Sequence, residues 1–246
     1  MARWRDTVLV MVVTSIAAPA AAQQIADSQS RREAVQFYRT GMEFFSGEKF
    51  DRAAEEFTKA TDKDPLFTLA HYQAGQSYMN LKRYASAIRA FKNCLEASRA
   101  LYGLAETNRF AVEKQRDDEM REMRETVRTL QQNGHTLQAT RAEQHLLDLE
   151  KQRSSMVSGY HPPAEVLLSL GSAFFRNGER DAAETEWKAA IEVNPKLGEA
   201  HNNLAVIYMT TGRYKEADAE VKAAEKTGFR VNPQFKEDLK KAAAGR

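Results

Sequence analysis

A pattern of small and bulky residues recurs at a spacing of 34 residues, and it constrains this chain more than any single residue does. The first copy reads Phe37, Thr40-Gly41, Phe44, Ala53, Phe57, Ala60, Pro65. The second reads His71, Ala74-Gly75, Tyr78, Ala87, Phe91, Cys94. The third reads Leu167, Leu170-Gly171, Phe174, Ala183, Trp187, Ala190, Pro195, and the fourth reads His201, Leu204-Ala205, Tyr208, Ala217, Val221, Ala224. Self-similarity at this period marks helix–turn–helix units that bury their apolar faces only by stacking on one another. The resulting solenoid displays a surface rather than enclosing a reaction chamber.

Each unit follows one packing logic. Gly41, Gly75, Gly171 and Ala205 are small where two helices approach, and Phe44, Tyr78, Phe174 and Tyr208 fill the space beside them. Ala53, Ala87, Ala183 and Ala217 let the second helix close on the first, while Phe57, Phe91 and Trp187 wedge between repeats. Gly47, Gly178 and Gly212 mark turns, and Pro65 and Pro195 follow helix ends. Long alternating β-branched runs are absent, so the chain reads as all-α. With 42% apolar residues, 28% charged residues and a net charge of +2, it is an ordinary globular composition without the basic stripe that nucleic acid requires.

Residues 1–22 read as a signal peptide. Arg3 and Arg5 precede an apolar run from Thr7 to Ala18 and the small stretch Ala20-Ala21-Ala22, which places cleavage between Ala22 and Gln23. The run is too short for a spanning anchor, which needs about 18–20 residues. The mature chain is therefore expected to be exported to the periplasm or outside the cell, without stable membrane insertion. Residues 23–33 read as a flexible lead-in. The single cysteine, Cys94, excludes an internal disulfide and stands where the other repeats carry alanine, as a small buried residue.

Residues 102–163 interrupt the repeats. From Leu104 to Gln132 there is no glycine or proline, and opposite charges interleave at i,i+4, which predicts a long exposed helix. Asn133-Gly134 breaks it, and Thr136 to Arg153 resumes the helical pattern. Met120, Met123, Val127 and Leu130 form a stripe that Leu137, Leu146 and Leu149 can face, predicting an antiparallel, coiled-coil-like hairpin that projects between the solenoid halves. Residues 231–246, opening at Pro233, predict a capping helix with Phe235, Leu239 and Ala242 on one face.

The glycine/alanine, aromatic and alanine triplet, present in all four units, resembles the tetratricopeptide repeat family over residues 34–101 and 164–230. His71 and His201 stand where that pattern has large apolar residues, Val221 replaces the bulky wedge, and the second unit lacks its proline, all suggesting looser packing. The resemblance implies that the first helix of each pair lines a concave surface. Carried over, its inward positions are Tyr38, Met42 and Phe45, then Leu69, Tyr72, Gln76 and Met79, then Leu168, Ser172 and Phe175, then Asn202, Val206 and Met209. Members of the family that clamp a terminal carboxylate use Lys, Arg and Asn at such places, whereas this groove is apolar and methionine-rich.

Such a groove suits an amphipathic helix or hydrophobic peptide. Its occupant is either a partner protein or the chain's own hairpin or lead-in, since an exposed apolar groove is an aggregation liability. The expected function is a non-enzymatic scaffold of the cell envelope. The alternative is a structural subunit that self-associates through the hairpin. His71, His135, His145, His161 and His201 are scattered without metal-ligand spacing, and no nucleophile or phosphate-loop motif occurs. No cofactor, metal or catalytic residue is predicted.

Overall fold

A computed structural model describes residues 25–105, 107–154 and 160–244. The signal segment and its cleavage point at Ala22-Gln23 lie outside the described residues. Eleven helices and no strand occur among them: α1 (Ser28–Ser46), α2 (Phe50–Lys63), α3 (Thr68–Asn80), α4 (Tyr84–Ala105), α5 (Arg109–Gln132), α6 (Thr136–Ser154), α7 (Ala164–Arg176), α8 (Arg180–Val193), α9 (Gly198–Thr210), α10 (Tyr214–Lys226) and α11 (Pro233–Ala244). The pairs α1/α2, α3/α4, α7/α8 and α9/α10 are the four repeats.

The close approach at the glycines is real, but its partner lies within the same repeat. A Cβ added at Gly41 would sit 2.7 Å from Phe57, one at Gly171 would sit 2.6 Å from Trp187, and one at Gly75 would run into the Phe91 ring. Each bulky residue of the second helix therefore lies across the first helix of its own pair. The Trp187 indole N–H also donates to the Leu168 carbonyl at 3.1 Å. Ala53, Ala87, Ala183 and Ala217 are fully buried, as are Cys94 and its alanine counterparts Ala60, Ala190 and Ala224.

All four turns share one geometry. The amide two residues before each second helix's first residue has its own partner, and the next one, at Lys49, Arg83, Glu179 and Arg213, donates back to the carbonyl of Phe44, Tyr78, Phe174 and Tyr208 at 2.8–2.9 Å. This closure needs a left-handed residue in the middle of the turn. Gly178 (φ 91°) and Gly212 (φ 76°) supply it in the last two repeats, but Glu48 (φ 57°) and Lys82 (φ 58°) supply it in the first two. Gly47, at φ −84°, lies one residue early and is not the left-handed residue.

Two expectations of looser packing are corrected. The rings at 71 and 201 act as inter-repeat ties: His71 Nε2 lies 2.9 Å from the Pro65 carbonyl oxygen, and His201 Nε2 lies 3.2 Å from that of Pro195. The missing proline of the second repeat has a different result, since α4 runs on to Ala105 and leads into the insertion.

The solenoid passes the insertion without a break. α4 packs against α7 just as α2 packs against α3 and α8 against α9. α5 and α6 form the expected antiparallel hairpin, but they do not project. They fold back onto the inner face, contacting α1, α3 and α7. Leu137, expected in the hairpin seam, is 63% exposed, because Ala139, Ala142 and Leu149 take the buried face. α11 seats Leu239 against the last repeat as a cap. The lead-in is helical from Ser28: Asp27 caps α1 by accepting from the amides of Gln29 and Ser30 at 2.8 and 3.0 Å.

Candidate functional site

The family pattern assigns the inner surface to α1, α3, α7 and α9, and these helices differ in what lies over them. Over repeats 1 and 2 lies α5. Its stripe of Met120, Met123 and Leu130, with Ala139, Ala142 and Leu149 from α6, joins Tyr38, Met42 and Phe45 in one core. Tyr38 packs between Phe57 and Phe67, with ring centroids 5.6 and 5.1 Å away.

Beside that apolar stripe runs a buried polar one, Gln115, Glu119, Glu122 and Thr126. Their 4-3-4 spacing puts them on one helical face, and each meets a matching group of the repeats. Arg39 holds Glu122 with two bonds of 2.7 and 3.0 Å. The Tyr38 hydroxyl and Thr126 Oγ1 are 2.9 Å apart. The Gln115 amide donates to the Leu66 carbonyl at 2.9 Å, and the Thr68 hydroxyl donates to Glu119. Arg31 pairs with Asp64 and reaches Glu119 at 3.6 Å. Burial pushes the Glu119 carboxyl and the Tyr38 hydroxyl above their usual ranges. The expected long exposed helix is thus half wrong: Arg109, Arg121 and Arg128 face solvent, while Glu119 and Glu122 hold the hairpin down.

The sequence-derived groove residues therefore divide. Tyr38, Met42, Phe45, Leu69 and Tyr72 are buried and serve the core, the hairpin being the occupant of this half. Leu168 is buried within the repeat stack. Gln76, Met79, Ser172, Phe175, Asn202, Val206 and Met209 stay partly exposed. Around Gln76, Met79, Leu168 and Ser172 lies an open cavity of about 330 Å³ that Arg141, Arg176 and Glu199 also line. Gln76 donates to Ser169 Oγ at 3.1 Å across the repeat 2–3 junction, and Phe175 packs on Trp187 at 5.7 Å.

Sequence reading missed Arg31, Arg39, Glu119 and Glu122. The available signal was the 4-3-4 polar spacing beside the methionine stripe, which a helix free in solvent does not require.

These paired helices with a shared turn and a continuous inner face define a protein-interaction repeat fold. The tetratricopeptide repeat pattern matches residues 38–98 and 168–228, and the chain belongs to the tetratricopeptide repeat superfamily. No curated protein matches it. Solved structures similar to it include that of PilW, a widely conserved type IV pilus biogenesis factor, at 16% identity over 89% of this chain and 88% of that one, with a TM-score of 0.42. Others are TTC0263, a thermophilic repeat protein of Thermus thermophilus (21% identity, 86% and 99% coverage, TM-score 0.34), and YrrB, a repeat protein with an unusual peptide-binding site (18%, 87% and 95%, TM-score 0.32).

Proposed function

We propose that this protein is a non-enzymatic adaptor of the cell envelope that holds a helical or hydrophobic segment of a partner protein on the inner face of repeats 3 and 4. One observation carries the reading. The hairpin covers Tyr38, Met42 and Phe45 of repeat 1 and Tyr72 of repeat 2, yet Phe175, Val206 and Met209 stay partly exposed on the continuation of the same face. Gln76, Met79, Ser172 and Asn202 complete the strip and offer adaptable polar and thioether contacts. The signal-peptide pattern read in the sequence of residues 1–22 supports the envelope location, and no described helix is long and apolar enough to cross a membrane.

Self-association through the hairpin is the second reading. It is favoured by Phe110, Leu137 and Leu147, which are 81%, 63% and 47% exposed and all lie on the insertion. Measuring the size of the purified protein separates the two.

The test of the first reading is capture from the native envelope fraction. Phe175→Ala with Met209→Ala should weaken capture roughly tenfold or more, since about 1.4 kcal/mol is a decade and each buried anchor contributes on the order of 1.5–3 kcal/mol. Unchanged capture by that double variant, folded at the assay temperature, would exclude the strip as the contact surface.

A further inference from the structure

The seam where α6 meets the repeats holds titratable groups that the adaptor reading does not use. His145 is fully buried with neither ring nitrogen hydrogen-bonded, and its ring lies 4.6 Å from that of Tyr72 on α3. Three residues on, Asp148 lies beside Glu165, the second residue of α7, and Asp148 Oδ2 accepts the Glu165 amide at 3.3 Å. Both carboxyl side chains are buried, Glu165 to 2% exposure and Asp148 to 6%. From the other side, Arg141 of α6 pairs with Glu199 of α9 at 2.7 Å. The charged and titratable groups acting on Glu165 are thus Asp148 and Arg141 from α6, Glu199 from α9 and the Tyr72 hydroxyl from α3, while Lys151 acts on Asp148.

Two neighbouring buried carboxyl groups do not readily ionise together. We propose that Glu165 and Asp148 form a proton-held latch: while the pair keeps a proton, α6 stays docked on α7 and over Tyr72, and when the proton leaves, the hairpin lifts from the inner face. The occupant of this half of the groove is then a removable one, and its departure uncovers Tyr72 as a continuation of the open strip.

Burial, then Asp148 and Glu199, push the Glu165 carboxyl up to about 8 against the opposing pull of Arg141. In the undocked hairpin that carboxyl meets water and returns to its ordinary value of 4.5. Docking therefore takes up a proton, and it weakens as pH rises from the ordinary value through about 8. Burial also raises Asp148, which acts in the same direction. His145 has the opposite sign. Burial holds it at about 4 instead of 6.5, so docking expels its proton and weakens as pH falls through that window. The two effects cancel between about 4.5 and 6.5, which leaves a plateau of tight docking and a loss above it.

The latch does not depend on the adaptor reading, and its test needs no partner. Amide hydrogen exchange of the full chain, corrected for the intrinsic pH dependence, is compared at about pH 6.5 and pH 8. α6 should lose protection roughly tenfold, as expected for close to one proton released over about 1.5 pH units with His145 partly opposing, while α10 stays unchanged. Glu165→Gln keeps the shape but cannot lose the proton, and it should remove most of the change. Asp148→Asn removes the neighbouring charge, and it should shrink the change. Constant α6 protection in the unaltered protein, an equal loss in α10, or the same tenfold loss in Glu165→Gln would each overturn the latch. The comparison of α6 with α10 decides the matter however well the variants pack.

Discussion

In the first helices of repeats 1 and 2, the inward positions Tyr38, Met42, Phe45, Leu69 and Tyr72 are buried beneath or beside the hairpin, and Gln76 and Met79 at the far end of α3 are partly exposed. In repeats 3 and 4 the same register carries a buried Leu168, while Ser172, Phe175, Asn202, Val206 and Met209 are partly open. The backbone is the same in both halves, so the difference must come from side chains. α5 brings two carboxylates to the inner face, and only repeat 1 has the cations to receive them. The position of Arg39 is Gln73, Ser169 and Asn203 in the other repeats. Glu122 is buried while Arg39 reaches it from a largely exposed position, so losing Arg39 would leave a buried carboxylate unpaired, which costs more than the pair itself contributes. Hence the pair acts mainly to specify where the hairpin docks. A repeat solenoid can thus close one part of its own surface and leave the next part open without changing its fold.

The largest expected effect separates the halves by stability. Tyr72→Ala removes a ring held between Phe91 and His145 and should cost about 3–5 kcal/mol. Phe175→Ala, at a position the same register makes inward-facing but partly exposed, should cost about 1–2 kcal/mol, since less area leaves water when it folds. Urea unfolding of both variants gives the comparison, and equal losses would erase the distinction between the halves.

A smaller effect lies in the turns. Glu48 occupies the left-handed position that Gly212 fills in repeat 4. Glu48→Gly should stabilise the protein by roughly 0.5–1 kcal/mol, and Gly212→Ala should destabilise it by about 1–2 kcal/mol. Thermal unfolding reads both, and a loss at Glu48→Gly would mean that its side chain has a role beyond the turn.

The four repeats were legible in the sequence because their packing is local. Gly171 and Trp187, or Gly75 and Phe91, are 16 residues apart, and their sizes marked a close approach, although the ring lies across its own pair and not between repeats. The inward register was legible only as an implication of the family resemblance. What covers that register was not. Arg39 and Glu122 are 83 residues apart, and interleaved charges on α5 match a solvated helix as well as a docked one. Arg31 fell in a stretch read as a flexible lead-in, yet it pairs with Asp64 below the first turn of α3. Leu137 was misplaced because a leucine and two alanines competed for the seam, and the closer helix approach that alanines allow won.

The central claim, that the hairpin closes one half of the inner face and leaves the other open, is tested most directly by thiol labelling. Cys94→Ala provides a cysteine-free background, with alanine already standing at that slot in the other three repeats. Into it are placed Met42→Cys and Met209→Cys, one on each half. At a fixed pH near 6.5, a small thiol reagent should modify the site at 209 roughly tenfold faster or more, because the side chain at 42 is buried and is reached only from the cavity between α1 and α5 or when the hairpin opens locally. Equal labelling rates at the two sites would contradict the account.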